Sequence, residues 1–80
     1  MCTYSTEHVP LSGSSAKGAD GWFRPAEAVV YFDHPVHAMA EHSLNIDFAN
    51  PAGGRVAVEL TEDSARALVA AIERALALAG

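Results

Sequence analysis

Leu44, Ile46 and Phe48 alternate with Ser43, Asn45 and Asp47 in the run SLNIDFA, so residues 43–49 carry one apolar and one polar side. That period of two predicts a half-buried strand. Residues 55–60 (RVAVEL) repeat it, with Val56, Val58 and Leu60 facing one way and Ala57 and Glu59 the other. Asn50, Pro51, Gly53 and Gly54 between the two runs predict a hairpin. The run EAVVYFD is rich in β-branched and aromatic side chains, which fit a pleated surface, and predicts a strand over about residues 26–34. A looser alternation over residues 2–9 predicts a short opening strand.

After residue 60 the apolar spacing changes to three and four. Leu68, Ile72, Ala75, Leu76 and Ala79 share one side of a helix over about residues 62–79 and form its expected buried stripe, with Arg66, Glu73 and Arg74 on the wet side. Thr61 is positioned to cap that helix, and Glu62 and Asp63 complement the positive end of its dipole. By contrast, SGSSAKGADG at residues 12–21 holds three glycines and three serines and predicts a flexible loop without a packed element.

The expected fold is therefore α+β, a single domain over residues 1–80: an antiparallel sheet of about four strands in β-β-β-β-α order, with one C-terminal helix packed on one face. Register follows from pairing large apolar residues, because a slip of one moves a whole set to the wrong face. Phe32 opposite Leu44 also sets Val30 opposite Ile46 and Ala28 opposite Phe48. The same offset puts His34 across from His42, with Cβ atoms about 4.5–5.5 Å apart.

Composition then limits the function classes. Half the chain is apolar, but 16 of those 40 residues are alanine, so the core is lean and a partner surface, most simply a homodimer, is expected to supplement it. The formal net charge of −5 and the absence of a basic cluster argue against nucleic acid. No run approaches the roughly 18 apolar residues of a membrane span, and no basic start precedes an apolar run. One cysteine makes no internal disulfide. A soluble, cytoplasmic protein without a membrane partner is the expectation.

Candidate chemistry concentrates in one segment. Asp33, His34, His37, Glu41 and His42 place three imidazoles and two carboxylates within ten residues. Three neutral imidazoles with an open fourth position suit a divalent metal, zinc first, with Glu41 or Asp33 as an extra ligand or as acceptor for an imidazole N–H. Metal-activated water or polarisation of a small substrate is the chemistry such a centre would bring. The plainer reading stacks His34 on His42 at a strand end and leaves His37 in solvent.

Other constellations are thinner. The outer sheet face mixes Val29, Tyr31 and Ala57 with Asp33, Asn45, Asp47 and Glu59, which suits a homodimer interface or a small-molecule ligand surface and supplies the competing, non-catalytic reading. His42 with Asp47 would make a metal-free acid/base pair. Cys2 is a thiol near the N-terminus with no base in sequence beside it, and Trp22 and Phe23 suit core or contact positions. Gly13–Gly18 fails the residue order of a phosphate loop.

With the opening MCTY, the segment DGWFR and the centre YFDHPVHAMAEHSLNIDF in view, the chain resembles a family of short bacterial proteins, chiefly from actinomycetes, over nearly its whole length. The resemblance implies a soluble protein and carries no assigned activity.

Overall fold

A computed structural model describes residues 5–34 and 41–79. Six strands and one helix follow in order: β1 (Thr6–Pro10), β2 (Ala16–Gly18), β3 (Gly21–Phe23), β4 (Glu27–Asp33), β5 (Ser43–Ala49), β6 (Arg55–Leu60) and α1 (Glu62–Ala79). Strands β1, β4, β5 and β6 form one antiparallel sheet in that spatial order. The fold is α+β, with the four-stranded sheet and C-terminal helix that the periodicities predict.

The central register follows from the apolar pairing. Ala28, Val30 and Phe32 stand opposite Phe48, Ile46 and Leu44, and these in turn stand opposite Val56, Val58 and Leu60. One face of the sheet is thus built from apolar rows. The other carries Tyr31, Asp33, Ser43, Asn45, Asp47 and Glu59, since side chains alternate along every strand. The β5–β6 turn closes through Asn50, whose Oδ1 accepts from Ala52 N at 3.0 Å and whose carbonyl accepts from Gly53 N at 2.9 Å. Gly53 and Gly54 there adopt φ of 117° and 78°, a region that penalises any side chain.

Two expectations need correction. Residues 12–21, expected as a structureless loop, contain strand β2, which pairs with β3 through Ala16–Phe23, Lys17–Trp22 and Gly18–Gly21. Gly18 approaches Phe23 and Val56, so the small residues that read as loop composition allow close packing instead.

The second correction concerns the helix. Thr61 caps it as expected, its Oγ1 accepting from Ser64 N at 3.2 Å, and Arg66 is paired with Glu62 at 2.7 Å. The predicted stripe is nevertheless not buried. Leu68, Ile72 and Leu76 are 43, 50 and 68% exposed, and Ala75 and Ala79 are exposed as well. Of the described apolar residues only Pro25 and Ala28 are buried. Amphipathic spacing fixes which side of a helix is apolar; it leaves open what that side meets.

Candidate functional site

The histidine segment comes first. His34 follows the last residue of β4, and its backbone N donates to Asp33 Oδ1 at 2.7 Å. Its Nδ1 lies 3.0 Å from the carbonyl oxygen of Glu41. A carbonyl only accepts, so Nδ1 carries the proton, and in the neutral ring Nε2 keeps its lone pair. His42 meets His34 as the register requires, ring centroids 4.7 Å apart at 21°, and stacks in turn on Phe32 at 5.7 Å and 22°. Glu41 is exposed, and His37 lies outside the described residues. Near-parallel stacked rings project their in-plane lone pairs side by side rather than toward one point. Among the described residues no group of three or more His, Cys, Asp or Glu is arranged to hold a metal ion.

The polar sheet face carries a second cluster. Tyr31 OH donates to Asp47 Oδ2 at 3.1 Å, and Arg55 Nη1 donates to the same oxygen at 2.8 Å. Burial, followed by the hydrogen bond and charge of Asp47, raises the Tyr31 pKa above its ordinary value, with Arg55 pulling the other way. Ser43 and Asn45 are buried on the same face, and Ser43 Oγ donates to Asn45 Oδ1 at 2.6 Å. The proposed His42–Asp47 acid/base pair does not form. Residues 42 and 47 differ in parity and fall on opposite faces, and Asp47 is engaged by Tyr31 and Arg55. On the edge strand β1, His8 Nδ1 donates to Glu27 Oε1 at 3.0 Å, with both side chains exposed.

The third feature is apolar. Helix α1 starts at the end of β6 beside the apolar face, and a groove of about 570 Å³ lies between them. Val30, Phe32, Leu44, Ile46 and Leu60 line it from the sheet, and Ala65, Leu68, Val69 and Ile72 from the helix. Ser5, Glu62 and Arg66 supply its polar lining. The volume falls within the range of about 300–1,000 Å³ typical of ligand clefts, and the lining is apolar enough to be one. Sequence reasoning found the two walls separately and joined them into one core, so it missed the groove. Val69, 56% exposed beside Leu68, is the signal that a wider apolar stripe needed more cover than one sheet gives.

The exposed large apolar side chains lie chiefly on the helix, with Val9, Trp22 and Val58 beyond it, whereas Val29 and Tyr31 are half-buried. No helix among the described residues is long and apolar enough to cross a membrane. Compared with family models, residues 1–80 match a family of unknown function, DUF6295. No curated protein and no solved structure matches the chain.

Proposed function

The chain belongs to that family of unknown function, and from its own surface we propose that it is an interaction module whose working part is the apolar groove between α1 and the sheet. One observation carries this reading: a capped, 18-residue helix buries none of its residues although it faces an apolar sheet. Each of Leu68, Val69 and Ile72 gains about 1.5–3 kcal/mol on full burial, so leaving all three half in water forgoes several kcal/mol in a domain with little to spare. The polar residues in contact with the groove, Ser5, Glu62 and Arg66, include no nucleophile beside a base, which favours binding over catalysis.

The Ile72→Asp variant tests it. If the groove is the working surface, the wild-type protein either self-associates or brightens an apolar dye such as anilinonaphthalene sulfonate. Ile72→Asp then loses whichever is seen while the sheet's circular dichroism persists. Wild-type protein that is both monomeric and dark toward the dye contradicts the reading.

A second reading is favoured by one bond. A metal-bound imidazole ordinarily anchors its other N–H on a carbonyl or carboxylate, and His34 Nδ1 has that anchor in the Glu41 carbonyl. We therefore keep zinc, or another divalent metal, as a proposed ligand of His34, His37 and His42 with Asp33 or Glu41 assisting. Binding requires the His34–His42 stack to open so that the Nε2 lone pairs converge. Zinc added to untagged protein should raise the melting temperature and shift both imidazole ring signals by NMR, with His34→Ala and His37→Ala each abolishing the effect; unchanged spectra at excess zinc reject the site.

A further inference from the structure

We propose that the groove is filled by helix α1 of a second copy of this chain, lying antiparallel to the first across a twofold axis. This rests on the interaction-module reading and names its occupant.

Area comes first. The chain exposes 5932 Å², whereas a compact monomer of its 8.4 kDa exposes about 4,600 Å². Part of that excess lies on the helix, where Leu68, Val69, Ile72 and Leu76 are 43, 56, 50 and 68% exposed, an apolar area of the kind that an obligate dimer buries.

Shape follows. Exposure along the helix rises from Leu68 at 43% through Ile72 at 50% to Leu76 at 68%, so the apolar stripe outruns the sheet it starts beside. The molecule therefore owns both an open apolar groove and an uncovered apolar helix. A second copy satisfies both at once, its helix entering this groove and its groove receiving this helix, which is the self-complementarity of a twofold interface.

Charge sets the direction. At 100° per residue, Glu62, Arg66 and Glu73 lie along one flank of the stripe, and Ser64, Ala71 and Ala75 along the other. An antiparallel twofold pair sets each flank against its own kind, bringing Arg66 near Glu73 of the second copy, twice by symmetry. A parallel pair sets those charges against alanines. Glu73 makes no hydrogen bond or ion pair within the described residues, and Arg66, whose Nε and Nη2 are held by Glu62 of its own helix, keeps Nη1 for Glu73 of the second copy. The alanine flank lets the two backbones approach.

Sedimentation equilibrium on the wild type, Arg66→Glu, Glu73→Arg and the double charge swap tests the proposal. The expected result is a wild-type dimer, a dissociation constant raised about three- to thirtyfold in each single variant, and recovery in the double variant. A dimer that the double swap fails to restore overturns the antiparallel arrangement. A monomer that binds anilinonaphthalene sulfonate overturns the second copy as occupant while the groove reading stands, and a monomer that binds none overturns both.

Discussion

Tyr31, Asp47 and Arg55 show how one carboxylate organises the polar face. Asp47 accepts from both neighbours while only 18% of its side chain is exposed, and burial of Tyr31, reinforced by the hydrogen bond and charge of Asp47, raises the phenol's pKa. The linkage has a definite sign. A phenol whose folded pKa is raised stabilises the fold fully below its unfolded pKa of about 10, and the contribution disappears as pH rises through the higher folded value. Stability should therefore fall on the alkaline side beyond pH of about 10, and Tyr31→Phe should flatten that fall, as followed by urea denaturation at stepped pH. An equally steep decline in Tyr31→Phe would show that ionisation of Tyr31 is not responsible. At this scale much was legible in the sequence. Pairing Phe32 with Leu44 was enough to bring His34 against His42, because that offset matches three apolar pairs and a slip of one would move the whole set to the wrong face. The stack of His34 on His42 is the plainer of the two sequence readings; what the pattern cannot do is choose it over chelation, because the Glu41 carbonyl and Phe32 that hold the rings have no signature in residue spacing.

Among the elements, the β5–β6 hairpin is the most completely specified. Its strands alternate cleanly, and Gly54 at φ 78° supplies the left-handed residue that the turn needs. A Cβ there meets no atom within 4 Å, so the cost of Gly54→Ala is conformational alone. It should lower the unfolding free energy by about 1–2 kcal/mol. A neutral effect would mean that the turn relaxes to another conformation. The β2–β3 hairpin was the least legible element, since a glycine- and serine-rich run reads as loop unless the close approach of Gly18 to Phe23 and Val56 is known. Helix α1 lies between these cases. Its extent, cap and apolar side follow from Thr61 and the spacing of Leu68, Ile72 and Leu76, but its partner surface does not. Nothing in that spacing distinguishes a helix pressed on its own sheet from one shared with another molecule.

For the molecule as a whole, the governing fact is that its apolar surfaces are sorted but not joined. The sheet presents rows from Val30 to Leu60, the helix presents Leu68 to Leu76, and a groove separates them. A domain of 80 residues commonly has a thin margin of stability, and this one, among its described residues, buries only Pro25 and Ala28 of its apolar side chains. The stability of such a chain should reside in association, which makes it a function of concentration. Urea denaturation at protein concentrations about a hundredfold apart measures this most directly. If two copies share the groove, the midpoint rises by about 1 M urea at the higher concentration; a midpoint that stays fixed over that range contradicts the account.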